Sequence, residues 1–387
     1  MTSTDRPASR PVVLIAIDWY LPAYRAGGPI RSIANLVATL GKEIDFHIVC
    51  GNKDLGSPHP LPVPESEWTT VGNARALYLP AHEQRPEMWK RLLRDIQPDR
   101  LYLNSLYSGP FSRMPWGVAS EMGVPTTLAP RGMLGSGALS IKPWRKKAWL
   151  WLQRLSGRYE GLTWHASTEQ EADEIRNWFP NAEIHTALNL PVPFEPLPQK
   201  RPAEPDGAQD SRQPVQLLSV GRVHPIKNYA FGVQLAANLA SGAQPVVYRI
   251  VGPVEHPSEA ARLQSIADQS EHLTLELAGA TPPADIQAHF GWAHLVLVPS
   301  FNENFGHAVA EAVACARPAI VSDQTAWSTM EHGHTVRCLP LDLNSWTDAA
   351  IDLLGISQED VVESARNTHA RCLLSASHLA AQRALFS

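Results

Sequence analysis

The chain has 387 residues, long enough for two domains of ordinary size, each with its own core. Hydrophobic residues make up 44% and charged residues 18%, which excludes a disordered or collagen-like chain. A net charge of −5 and a pI near 6.3 argue against a nucleic-acid binder, which needs a basic face for phosphate backbones. Cys50, Cys315, Cys338 and Cys372 are scattered, with no CxxC pair, and read as idle thiols in a reducing cytosol. The apolar run VVLIAI near the N-terminus is too short for a signal peptide. No window approaches the ~20 apolar residues of a membrane span. The expectation is a cytoplasmic protein whose membrane contact, if any, is peripheral.

In chain order, Pro11–Ile17 is a continuous apolar, β-branched run, as a buried parallel strand requires. A loop with Gly27, Gly28 and Pro29 leads to a helical pattern over Ile30–Leu40, where Ile33, Leu36, Val37 and Leu40 form one stripe. Further strands are predicted at Phe46–Gly51, Ala76–Leu79, Arg100–Leu103, Thr126–Leu128 and Leu162–His165, with helical stretches between several of them. Pro191–Pro214 is dense in Pro, charge and small polar residues and reads as a linker plus an exposed loop.

After the linker the alternation restarts. VQLLSVG, VVYRIVG, LTLELAG, LVLVPS and AIVSD read as strands; Tyr229–Leu239, Ala284–Phe290 and Phe305–Ala316 read as helices. Two doubly wound halves imply an α/β protein with ligands bound in a cleft beyond the strand carboxyl ends.

Two segments of the second half carry the chemistry. In Val298–Asp323, Glu303 lies in a loop between strand and helix, and Glu311 lies about two turns into that helix. Carboxylates accept hydrogen bonds in pairs, which suits the vicinal hydroxyls of a sugar or ribose. Taken alone, two glutamates eight residues apart equally describe a solvated helix edge. In Val215–Asn228, a strand is followed by Gly221 for a tight turn, then Arg222 and Lys227. Two cations in a strand–helix loop can neutralise a diphosphate, although they also suit an ordinary turn.

Together these segments resemble the retaining GT-B glycosyltransferases of family 4. Glu303-x-Phe305-Gly306 followed by Glu311 is similar to that family's E-x7-E motif, and Gly221, Arg222, Lys227 and Asn228 are similar to its diphosphate-binding signature. The resemblance implies two Rossmann-like domains facing a central cleft. Residues 1–192 would bind the acceptor, 193–213 would link, 214–371 would bind the donor, and a helix near 372–387 would rejoin the first domain. It further implies Glu303, Arg222 and Lys227 as catalytic groups. Donor contacts would come from Gly28, Gly221, Asn304, Phe305, Gly306, His307 and Glu311, with Glu303 on the transferred sugar and Glu311 on the ribose. No D-x-D motif stands at a strand end, so no metal or other cofactor is expected.

LAPRGMLGSGAL (Leu128–Leu139) resembles the APRG segment of a bacterial subgroup that builds surface polysaccharides. Its Arg131 is an acceptor-side candidate, for a phosphate or a carboxylate, or else a loop brace. LNSLYSG (Leu103–Gly109) supplies Asn104 and Tyr107 on the same side, where many members of the family carry a His. Residues 141–155 (IKPWRKKAWLWLQRL) combine five cations with three Trp. They read either as a core-facing stripe with a basic edge or as a peripheral contact with the inner face of a cytoplasmic membrane.

The expected partners are a UDP- or GDP-sugar and a glycan or polyprenyl-diphosphate-linked acceptor, in exopolysaccharide, capsule or O-antigen synthesis. A nucleotide-sugar epimerase of the same fold and a non-catalytic nucleotide-sugar binder are the alternatives.

Overall fold

The computed structural model describes residues 10–135, 138, 139, 143–197, 213–241, 244–328, 330 and 332–386. The chain divides into two compact units, one formed by residues 1–190 with 376–387, the other by 191–375.

The first unit is built on an eight-stranded sheet in the order β3-β4-β2-β1-β5-β6-β7-β8. In sequence these are β1 Val12–Ala16, β2 Asp45–Gly51, β3 Trp68–Val71, β4 Ala74–Leu79, β5 Arg100–Leu103, β6 Thr126–Leu128, β7 Thr163–Ala166 and β8 Glu183–Thr186. All pair in parallel except β3 with β4. Helices α1 Gly28–Leu40, α2 Pro86–Ile96, α3 Met114–Met122, α4 Pro143–Leu155 and α5 Glu169–Trp178 connect the strands. Central strands are buried on both faces, which is why β1 and β2 consist of continuous apolar runs.

The second unit carries a six-stranded parallel sheet, β11-β10-β9-β12-β13-β14. Its strands are β9 Val215–Val220, β10 Val246–Val251, β11 Leu273–Gly279, β12 Leu295–Val298, β13 Ala319–Ser322 and β14 Val336–Leu339. Helices α6 Tyr229–Leu239, α7 Pro257–Ala267, α8 Pro283–Trp292, α9 His307–Ala314, α10 Leu343–Gly355 and α11 Gln358–Thr368 cover it.

The last helix, α12 Ala376–Ala384, packs on the first sheet. Phe386 meets Phe46 and Tyr102 edge-on or tilted, and Gln382 donates to the Leu188 carbonyl at 2.7 Å. The front of the expected linker is not loose. Glu195 and Leu197 donate backbone bonds to Ala314 and Cys315, and the buried Arg317 donates to the Leu197 carbonyl. The rest of the linker expectation, 198–212, lies outside the described residues, as do Ile141 and Lys142 of the basic patch.

Candidate functional site

Strands β10, β9 and β12 are neighbours, so the loops leaving their carboxyl ends converge at one edge of the second sheet. Gly221 ends β9 with φ +152°, and Gly252 ends β10 with φ +154°. A Cβ on Gly252 would lie 2.0 Å from the Gly221 carbonyl oxygen, and one on Gly221 would lie 2.7 Å from the Tyr229 hydroxyl. Both positions therefore exclude a side chain. The Tyr229 hydroxyl is buried and has no hydrogen-bond partner among the described residues. Burial holds its pKa well above the ordinary value.

Two cations follow Gly221. Arg222 Nη1 donates to both carboxylate oxygens of Glu255, at 2.8 and 2.9 Å. His224 caps a short 3-10 turn, Pro225–Lys227, by accepting from the Ile226 amide through Nδ1. Asn228 then adopts the left-handed conformation, and α6 begins. This geometry carries the Lys227 ammonium to Glu303, 76 residues further along the chain, where it donates to Oε1. The same oxygen accepts from Ser300 Oγ at 2.8 Å. A backbone bond from the Phe301 amide to the Ile226 carbonyl, 2.9 Å, joins the two loops. Lys227 and Glu303 keep 17% and 16% of their side-chain surface exposed, so the pair is partly desolvated yet open to a ligand.

Glu303 also makes a β-bridge with Thr325. Asn304 follows, half-buried. Gly306 precedes α9 with φ +75°, and a Cβ there would meet Trp327 Nε1 at 2.9 Å. That buried indole donates to the Phe305 carbonyl at 2.8 Å and holds the loop from beneath. The Phe305 ring packs edge-on against His307. The helix predicted over Phe305–Ala316 spans only His307–Ala314, because Gly306 and Ala316 take positive φ at its two ends. Glu311 is less exposed than Glu303. It is buried in the second turn of α9, four residues before Cys315, whose thiol is pushed up to about 12 by burial and then by the Glu311 carboxylate.

The sequence reading brings Gly221, Lys227 and Glu303 together. It misses Glu255, Ser300, Trp327 and Tyr229, which no local motif marks. Neither Arg222 nor Lys227 is a bare cation: each is paired with its own carboxylate, Glu255 and Glu303 respectively.

In the first unit, Gly28 is the first residue of α1, and the positive φ belongs to its neighbour Gly27. Asn104 is buried, donating to the Pro29 carbonyl and accepting from Arg131 Nε at 2.6 Å. Arg131 also donates through Nη1 to Asn189 and through Nη2 to the Tyr102 hydroxyl. Tyr102 in turn meets His165 Nδ1 at 2.6 Å, and His165 Nε2 meets the Ala187 carbonyl at 2.8 Å. Burial first, and then the Arg131 charge, lower His165 to about 3. The ring is neutral, so Nε2 donates to Ala187 and Nδ1 accepts from Tyr102. Each guanidinium nitrogen of Arg131 therefore donates to one protein acceptor, the geometry of a brace. Tyr107 packs edge-on against Trp149, its ring under the Lys146 ammonium.

Helix α4 has two apolar sides. Trp149 and Leu150 face inward, whereas Trp144 (87% exposed), Trp151 (58%), Leu152 (56%) and Leu155 (64%) are open. The spacing 144, 148, 151, 152, 155 puts the open residues on one stripe, beside exposed Arg145, Lys147 and Arg154.

Residues 27–189 match the family described as Glycosyl transferase 4-like domain, and residues 214–355 match Glycosyl transferases group 1. The chain is 29% identical over 182 residues to a D-inositol 3-phosphate glycosyltransferase of Nocardioides sp., covering 41% of this chain and 38% of that protein. It is 36% identical over 116 residues to the protein of the same name from Kineococcus radiotolerans, covering 27% and 26%. The matched stretches thus span about two fifths or less of these curated relatives. Among solved structures, sucrose-phosphate synthase from Thermosynechococcus elongatus superposes with a TM-score of 0.65 at 16% identity, covering 98% of this chain and 95% of that one. Anabaena HepE in complex with UDP-glucose gives 0.67 at 11% identity, covering 97% and 98%. The fold is GT-B.

Proposed function

We propose that this chain, a glycosyl transferase 4-like domain followed by a group 1 glycosyl transferase domain on the GT-B fold, is a retaining, metal-independent hexosyltransferase. It takes a sugar from a UDP- or GDP-sugar and places it on a glycan or polyprenyl-diphosphate-linked acceptor in bacterial surface-polysaccharide synthesis. The observation that carries this reading is the Lys227–Glu303 pair at the adjoining ends of β9 and β12. A donor diphosphate competes for Lys227 and Arg222, and their charge then stabilises the leaving nucleoside diphosphate. Once its cation turns to phosphate, Glu303 accepts from the hydroxyls of the transferred sugar and steadies positive charge near its ring. Glu311 is assigned to the ribose. HepE was solved with UDP-glucose, which favours a uridine donor here. The relatives named for D-inositol 3-phosphate make a phosphate-bearing acceptor the second reading.

The exposed stripe of α4, with its three flanking cations, supports a position on the inner face of the cytoplasmic membrane. No helix among the described residues is long and apolar enough to cross a membrane.

The test is consumption of UDP-glucose and GDP-mannose by wild type, Glu303→Ala and Lys227→Ala. Each substitution should lower the rate of sugar release about 100-fold. Full activity in both variants would overturn the site assignment, and release of an isomerised sugar would favour an epimerase.

A further inference from the structure

Alongside α4, the first unit carries an open surface groove of about 460 Å³ that plays no part in the donor chemistry above. Gln84 reaches it from beyond β4, and Pro110 and Arg113 from the turn after β5. Trp149 and Gln153 come from the inner side of α4, and Arg158 from the turn that follows it. Gln84 and the Pro110–Arg113 turn follow the carboxyl ends of β4 and β5, whereas Arg158 lies between α4 and β7. No acidic residue lines the groove.

Arg113 and Arg158 have no ion pair among the described residues. An exposed arginine by itself needs no ligand. Here two line the same groove, with Gln153 beside them and no carboxylate in the lining. Two like charges sharing a concave wall repel each other and raise the local affinity for an anion.

Their supports are rigid. Pro110, in the turn that carries Arg113, accepts from the buried Trp89 indole at 3.0 Å, and the Arg158 carbonyl accepts from the buried Trp116 indole at 2.9 Å. Arg113 Nη2 lies 3.3 Å from where a Cβ on Gly109 would sit, and Arg158 Nη2 lies 3.4 Å from the corresponding point on Gly117. Both guanidinium groups thus rest over glycines that leave them room.

We propose that this groove seats a phosphate group of the acceptor. Arg113 and Arg158 grip the phosphate, the Gln153 amide contacts its rim, and the Trp149 face covers the group attached to it. Arginine suits this role because its planar fork matches phosphate oxygens in pairs. The outer stripe of the same helix is apolar and basic, so a phosphate held on its inner side would sit close to a bilayer surface. The inference rests on the glycosyltransferase reading and supplies its acceptor class. Lipids and soluble sugars both carry such a phosphate, and the test separates the two.

Binding is measured on the full chain by calorimetry, with no donor present, using decyl phosphate, glucose 1-phosphate and decyl maltoside. Wild type should bind decyl phosphate saturably and decyl maltoside far more weakly. Arg113→Gln/Arg158→Gln and, separately, Gln153→Glu should weaken decyl phosphate about tenfold or more. Equal gains of decyl phosphate and glucose 1-phosphate over decyl maltoside assign the site to a soluble phosphate, and a gain confined to decyl phosphate assigns it to a lipid. Affinities unaltered by both groove variants would overturn the proposal. The measurement uses neither donor nor turnover, so it can fail while the donor-side reading stands, and the reverse.

Discussion

Arg131 and Lys227 are both cations in loops beyond strand carboxyl ends, yet their surroundings differ in kind. Arg131 donates to three neutral side chains, Asn104, Asn189 and Tyr102, and the chain of bonds continues through His165 to the backbone. Lys227 meets one carboxylate from a neighbouring loop and keeps part of its surface open. A guanidinium whose three nitrogens each donate to a protein acceptor gains less by turning to a ligand. A partly exposed ammonium held by a carboxylate loses little, because a phosphate offers the same charge and more acceptor oxygens. The lesson is that a cation's partners, more than its place in the loop, separate a brace from a binding group.

The contrast can be broken at the stability level first. Arg131→Ala should destabilise the chain by about 3 kcal/mol in urea unfolding, since it strands several buried polar partners. Lys227→Ala should cost less than about 1 kcal/mol while losing activity, because its partner remains near water. Comparable stability losses in the two variants would erase the distinction drawn above.

The brace also has a pH signature. His165 has its pKa lowered to about 3, below the ordinary 6.5. Its contribution is therefore complete above pH 6.5 and is lost as pH falls toward 3, at up to about 1.4 kcal/mol per pH unit. His165→Gln, which keeps a donor for the Ala187 carbonyl, should flatten the unfolding free energy between pH 6 and pH 4 relative to wild type. Parallel curves would mean that His165 is not held neutral.

The smallest expected effect concerns Glu255. Its ion pair with Arg222 is largely solvated, so Glu255→Ala should change stability by less than about 1 kcal/mol. Freed of its carboxylate, Arg222 should bind UDP a few-fold more tightly in calorimetry. Weaker binding would show that Glu255 positions Arg222 rather than competing for it.

The strands missed by pattern have a common cause. Central strands β1, β2, β5 and β9 are buried on both faces and announce themselves as apolar runs. Trp68–Val71, Glu183–Thr186 and Val336–Leu339 are all sheet edges, with half-exposed and polar residues, and their sequences carry no such run. Residues 143–155 were ambiguous for a different reason. Three Trp with cations fit a core stripe or an exposed one, and α4 uses both sides: Trp149 inward, Trp144 and Trp151 outward. Helical spacing gives relative angles around an axis but not which angle meets the protein.

By itself, the sequence determined the alternation of strands and helices, the two halves and the turn at Gly221, because these follow from local periodicity and backbone freedom. It also marked Arg222, Lys227 and Glu303 as chemically able groups. Only the tertiary structure decided their partners. Glu303 meets Lys227 because β9 and β12 lie side by side, Arg222 meets Glu255 because β10 flanks β9, and Glu311 is buried within α9. Arg131 became a brace through residues as distant as Asn189. Strand order sets these meetings, and strand order is a property of the packed sheet that no local window of residues contains.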